Sequence, residues 1–132
     1  GLPTIAVSLV GRRFDHFDTA ARVASELVQK IERAGLASDV VLNVNVPDRP
    51  YKELRGVRAT RLGFRHKAEQ ILKDSDPYGR PIYWVGPAGA GQDAGEGTDF
   101  HAIEEGAASV TPLRVDLTRH EAVAGIADWL KQ

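Results

Sequence analysis

The residues best suited to do chemistry lie in one run, Gln92 to Phe100, QDAGEGTDF. It is the one stretch dense in both glycine and acid. Gly91, Gly95 and Gly97 can take backbone angles closed to other residues. Thr98 or Asp99 can cap the helix that follows by accepting its free N–H groups. A glycine loop feeding a helix N-terminus is one way proteins hold phosphate. The spacing fits neither G-x-x-x-x-G-K-[ST] nor G-x-G-x-x-G, so an ordinary capped loop is the simpler reading.

Other candidates are thinner. His101 and Glu105 stand at i, i+4, a ligand-like spacing, with no second pair to complete a metal set. His120 follows Asp116 by four residues, and His16 and His66 stand apart from both. Each reads first as a surface or capping group. Ser8, Ser25, Ser38, Ser75 and Ser109 assemble no serine–histidine–aspartate set. Glu104 and Glu105 are neighbours on a helix and face different ways. Asn43 and Asn45 share one side of a strand, where they bond either loop backbone or a ligand.

The elements that must position these residues are legible from periodicity. Ile5 to Val10 is almost wholly apolar, which predicts a strand covered on both faces of a parallel sheet. Asp18 to Ala34 switches to a helical stripe of Ala20, Ala24, Leu27, Val28, Ile31 and Ala34, with Asp18 as N-cap and Gly35 as stop. Val40 to Val46 is the next strand, ended by Pro47. Strand, helix and strand make a right-handed βαβ unit of an open α/β sheet. Ligands of such sheets sit beyond the carboxyl ends of the strands, which directs attention to Ser8, Asn43 and Asn45.

Residues 48–56 read as a loop and Val57 to Phe64 as a strand with a glycine break. Ala68 to Leu72 and Pro81 to Val85 flank Asp76-Pro77-Tyr78-Gly79, a type I turn signature, so a hairpin with arms of about six residues is expected. Asp99 to Glu105 makes two helical turns closed by Gly106. Ala107 to Val115 returns to strand character, with Pro112 arguing for an edge or a break. Thr118-Arg119-His120-Glu121 is a capping box opening a helix to Lys131. Ile71, Leu72, Ile82, Tyr83 and Trp84 on the hairpin need a surface to rest on, and so do Val123, Ile126, Trp129 and Leu130 on the last helix. That surface is this chain's core or a second subunit. Three segments are predicted: residues 1–66 as sheet and helix, 67–90 as the hairpin arm, and 91–132 as the glycine loop, short helix, strand and last helix.

At 132 residues the chain has one domain's length, and its 42% hydrophobic and 27% charged residues are those of a globular protein. It has no cysteine, which excludes disulfides and thiolate metal sites and suits a reducing compartment. Leu2 to Val10 lacks the flanks of a secretory leader, and no run reaches the length of a membrane span, so a cytoplasmic location and no membrane partner are expected. Residues 1–66 carry eleven Lys/Arg against seven Asp/Glu, and residues 67–132 carry six against eleven. The excess lies in Arg49, Lys52, Arg55, Arg58, Arg61, Arg65 and Lys67. Arg58 and Arg61 point to opposite faces of a strand, and no aromatic is interleaved before Phe64, so no nucleic-acid partner is expected. An apolar strand so soon after Gly1 reads as a domain entered midway.

Six motifs in order resemble one family. They are Leu42-Asn43-Val44-Asn45-Val46-Pro47-Asp48, Thr60-Arg61-Leu62-Gly63, Asp76-Pro77-Tyr78-Gly79, Tyr83-Trp84, Gly95-Glu96-Gly97-Thr98-Asp99-Phe100 and Ser109-Val110-Thr111-Pro112-Leu113. Together they are similar to the C-terminal half of the SurE family, metal-dependent phosphatases of nucleoside monophosphates. The family's catalytic half opens with an Asn-Asp-Asp-Gly motif, and this chain has no Asp-Asp pair. The resemblance therefore implies no catalytic or metal residue here. It implies the last part of a Rossmann-like sheet plus a protruding hairpin and a C-terminal helix. It implies Mg²⁺ or Mn²⁺ in the parent enzyme and none held by this chain alone. Asn43, Asn45, Gly97, Thr98 and Asp99 are expected at the rim of a site built by residues outside this chain, and the resemblance implies the hairpin and last helix as contacts of a homo-dimer or tetramer. The alternative is an assembly module with no catalysis of its own.

Overall fold

The computed structural model describes residues 3–66, 71–86 and 89–132. Strand β1 (Thr4–Val10), helix α1 (Phe17–Ala34) and strand β2 (Val40–Pro47) form the expected βαβ unit. β1 and β2 are parallel, with Val7 opposite Val44 and Leu9 opposite Val46. Later come β3 (Val57–Ala59), β4 (Phe64–Arg65), β5 (Leu72–Ser75), β6 (Pro81–Trp84), β7 (Gly91–Asp93), α2 (Asp99–Glu104), β8 (Ala108–Arg114) and α3 (Val123–Trp129). The main sheet runs β1-β2-β8-β3, β4 pairs with β7, and β5 with β6. The four-stranded sheet thus draws on both ends of the chain. This is a mixed α/β architecture with a Rossmann-like βαβ unit, a separate hairpin and a last helix.

The core lies where the stripe of α1 meets one face of the sheet. Ala20, Val23 and Leu27 pack with Val44, Val46 and Ala108, and Ile5, Leu9, Leu42 and Val110 close around them. Val23, Val44 and Val46 are fully buried. Gly35 ends α1 at φ 75°, and its N–H donates to the Ile31 carbonyl at 2.7 Å. That left-handed angle suits glycine best.

Several expectations are corrected. α1 begins at Phe17 with His16 as cap residue and no side-chain cap; Asp18 falls inside the first turn, where its charge still complements the helix dipole. Among the described residues β1 pairs only with β2, and Val7 and Val10 stay 39% and 40% exposed. Apolar content marked it as an interior strand but does not report how many neighbours it has. The loop after Pro47 holds a 3₁₀ turn at Tyr51–Glu53, whose Tyr51 hydroxyl donates to Glu26 of α1 at 2.9 Å.

The strand expected over Val57 to Phe64 splits at Thr60, and its second part pairs with β7 instead. β8 is central, yet β3 pairs with it only at Ala108 to Val110. Pro112 lies beyond that pairing, where its missing N–H costs no bond to β3. The hairpin turn forms as predicted, with the Gly79 N–H donating to the Asp76 carbonyl at 2.9 Å. Its pairing spans four residues per arm, and Ala68 to Gln70 lie outside the described residues. The capping box does not form. Asp116 takes the Thr118 N–H at 2.8 Å, Glu121 takes Arg119 Nε at 3.0 Å, and α3 starts only at Val123 after a 3₁₀ turn.

Candidate functional site

The glycine run is built as a clasp against Arg61-Leu62-Gly63. The Arg61 N–H donates to the Gly97 carbonyl, and the Asp99 N–H donates back to the Arg61 carbonyl, each at 3.0 Å. The Arg61 guanidinium grips Asp93 with two bonds, one of them Nη2 to Oδ1 at 2.9 Å. That bond holds the Asp93 carboxyl below its ordinary range. Gly97 sits at φ 83°. Thr98, 1% exposed, is the N-cap of α2. Its Oγ1 accepts from the His101 N–H at 3.2 Å and donates to the Gly95 carbonyl at 2.6 Å. Both functions of the hydroxyl are spent on the loop. Asp99 Oδ1 accepts the N–H groups of Gly63 at 2.8 Å and Phe100 at 3.0 Å.

Two clefts meet at the carboxyl ends of β1 and β2. One, of about 200 Å³, is lined by Val10, Asn45, Arg65, Asp99, Phe100 and Ile103. The other, of about 380 Å³, shares Val10 and Ile103 and continues along Gly11 to Arg13, Asp15, His16, Asp48 and Arg49. Asn45 and Asp99, separated in sequence by the whole hairpin, therefore line one wall. Asn45 Nδ2 donates to Ser109 Oγ at 3.3 Å, which leaves its carbonyl oxygen available. The Arg65 guanidinium lies 4.8 Å from the centroid of the Phe100 ring. Asn43 lies one pleat back, level with Ala6 and Thr111, and lines neither cleft. Gly97 and Thr98 also stay off both linings, and Ser8 pairs in register with Asn45 without reaching them.

Asp48 was visible in the sequence only as the end of a motif. Its carboxylate accepts the N–H of Asp15 at 3.2 Å and of His16 at 2.9 Å. Partial burial works against its ionisation, and the N–H groups of His16, Asp15 and Phe14 outweigh that and hold its carboxyl below the ordinary range. These bonds hold a loop in which Phe14 takes φ 58°, an angle costly for a residue with a side chain. A Cβ on Gly11 would come within 2.5 Å of Asp48 Cβ, so only glycine lets the loop approach.

The histidine candidates hold no metal set. Among the described residues no group of three or more His, Asp or Glu gathers. His120 Nε2 and Asp116 Oδ2 are 2.6 Å apart. They border a cavity of about 680 Å³ at the opposite end of the sheet, against Thr4, Asp39 and Arg114. The His120 bond, with the Thr118 N–H, lowers the Asp116 carboxyl from 3.8 to about 2. A lowered carboxyl stabilises the fold above its unfolded value and loses that contribution as pH falls through the folded one. The contact is expected to hold above about pH 4 and to fade toward pH 2, with a small effect on stability because both groups are exposed. Carbon-detected NMR titration of Asp116 checks this, and an unshifted midpoint would refute it.

A βαβ sheet with a polar cleft at the strand carboxyl ends defines an open-sheet α/β domain of the kind that handles ligands at that edge. The family model for Survival protein SurE matches residues 1–69. The chain is 56% identical to the 5′-nucleotidase SurE of Nitrosococcus oceani over 132 residues, covering 100% of this chain and 53% of that protein. It is 56% identical to that of Methylococcus capsulatus over 130 residues, covering 98% and 52%. The crystal structure of the SurE protein from Aquifex aeolicus superposes with a TM-score of 0.78 at 40% identity, over 100% of this chain and 53% of that one. The chain spans about half the length of the curated relatives it matches, and it belongs to the SurE family.

Proposed function

We propose that this chain is the C-terminal portion of a divalent-metal-dependent phosphatase of nucleoside 5′- and 3′-monophosphates. One observation carries the reading: 56% identity to a 5′-nucleotidase that extends over only 53% of that protein. A bound Mg²⁺ or Mn²⁺ would polarise the phosphoryl oxygen and activate water. The described residues do not fit such an ion, since no cluster of three metal-ligating side chains forms among them. This chain's part is then to line the rim. Asn45 offers an amide toward a sugar or phosphate, Asp99 offers a free carboxylate oxygen toward a sugar hydroxyl, and Phe100 offers a ring face. Gly97 and Thr98 hold the loop behind Asp99, and Asn43 lies one pleat back in the strand. The 132-residue polypeptide is expected to release no phosphate from a nucleoside monophosphate with Mg²⁺ or Mn²⁺ present. Metal-dependent release by the purified chain would overturn this.

A second reading, assembly through the hairpin and last helix, is favoured by apolar side chains left in the open. Ile71 is 64% exposed, Trp84 61%, Trp129 64% and Leu130 71%. Leu72, Tyr83, Val123 and Ile126 are exposed beside them, and Ile82 is half-buried. Self-association into a dimer or tetramer is expected, read as a concentration-dependent mass by light scattering. A monodisperse monomer at high concentration would count against it. Nucleic acid is not a proposed partner, because the arginines of residues 49–65 are dispersed: Arg61 to Asp93, Arg65 over Phe100 and Arg55 toward Glu105. A cytoplasmic location is proposed from the absence of cysteine. Among the described residues no helix is long and apolar enough to cross a membrane.

A further inference from the structure

We propose that the 380 Å³ cleft between Gly11 and Arg49 is an oxyanion site that takes a phosphate group, with Arg49 as its fixed donor and Arg12 as its mobile one. The charges in the cleft do not cancel. Arg13 pairs with Asp15 at 2.9 Å. The Asp48 carboxylate accepts the backbone N–H groups of Asp15 and His16, and the lining sets Arg12, Arg13 and Arg49 against Asp15 and Asp48. Arg12 and Arg49 have no carboxylate partner among the described residues, and His16 lines the same cleft.

Arg49 is also seated. Its guanidinium lies against the buried backbone of Gly106, so close that a Cβ there would fall 2.7 Å from Cζ. A half-buried guanidinium with no acidic partner, seated on Gly106 at the border of the cleft, is a planar fork of donors whose position is already restricted. Charge-assisted bonds from such a fork to phosphate are about twice as strong as neutral ones. Arg12 is exposed on the loop that Asp48 holds, free to fold over an anion. Apolar Val10 and Ile103 also line the cleft. The inference does not depend on hydrolysis: the cleft binds phosphate whether or not the chain takes part in a reaction.

The test is ¹⁵N NMR of the 132-residue chain titrated with inorganic phosphate, with adenosine monophosphate, and with adenosine, all at matched ionic strength in chloride. Both phosphates are expected to shift the amides of Gly11, Arg12, His16 and Arg49 and the Arg49 side-chain resonance, and adenosine is not. Stronger shifts with the nucleotide identify a nucleotide phosphate as the source; equal shifts identify free phosphate. Arg12→Gln, on an exposed loop that cannot disturb the core, is expected to weaken binding several-fold. Arg49→Lys, which keeps the charge and loses the fork, is expected to weaken it about tenfold. Absent shifts, shifts that chloride reproduces, shifts that adenosine reproduces, or unchanged binding in both variants would each overturn the proposal.

Discussion

Gly63→Ala is expected to lower stability by about 3 kcal/mol or more, seen as an earlier urea midpoint with an unchanged slope. A Cβ on Gly63 would run into the backbone carbonyl of Asp93 and come within 2.5 Å of Phe100 Cδ2. Neither can yield cheaply. The Asp93 carbonyl belongs to β7, which pairs with β4, and Phe100 sits in the first turn of α2. The Gly63 N–H also donates to Asp99 Oδ1, so moving Gly63 away pulls at the carboxylate that lines the cleft. Gly95→Ala is the matched control. It has open space for a Cβ, and its effect is expected to stay within about 0.5 kcal/mol. Equal midpoints for the two variants would show that the clasp is not packed as described.

Gly106→Ala is the second large effect, expected at about 2–3 kcal/mol. Two causes add. Gly106 has φ 80°, which strains any residue with a Cβ, and the new methyl would enter the volume of the Arg49 guanidinium. The causes separate in a double-mutant cycle. Arg49→Ala empties the space and leaves the backbone angle unchanged, so Gly106→Ala is expected to cost about 1 kcal/mol less in that background. Chemical denaturation of the four proteins gives the coupling. Strict additivity would mean that the guanidinium does not rest on Gly106.

The elements with a period of their own were legible in the sequence. α1 follows from its stripe, β1 and β2 from their apolar runs, and the turn at Asp76 to Gly79 from proline and glycine in fixed places. β7 was not, because Gly91-Gln92-Asp93 has neither alternation nor apolar content. It is a strand only because β4 offers it a partner. The capping box at Thr118 to Glu121 is a local pattern that lost to other local bonds, those of Asp116 and Arg119. Pro112 reported its neighbourhood correctly at the scale of one residue, while the strand around it is central. At the site, Asn45 and Asp99 were named from strand ends and capping, and both line one cleft. Asn43, chosen by the same parity, lies too far down the strand to join them. Asp48 and Gly63 were quoted only as parts of motifs, and Arg61 besides only in the charge count. Their work is done on partners 32 to 36 residues away, a distance at which neither periodicity nor spacing carries a signal.

Under the proposed function, these 132 residues are the rim-and-assembly half of a nucleotidase whose metal chemistry is supplied elsewhere. Phosphate release from a nucleoside monophosphate, with and without Mg²⁺ or Mn²⁺, tests it most directly in two samples. One is the chain alone. The other is the chain joined to the part of the Nitrosococcus oceani relative that lies outside the 53% it matches at 56% identity. Metal-dependent hydrolysis by the joined protein and none by the chain alone is the predicted result. Hydrolysis by the chain alone, or a folded joined protein that releases no phosphate with either metal, would contradict it.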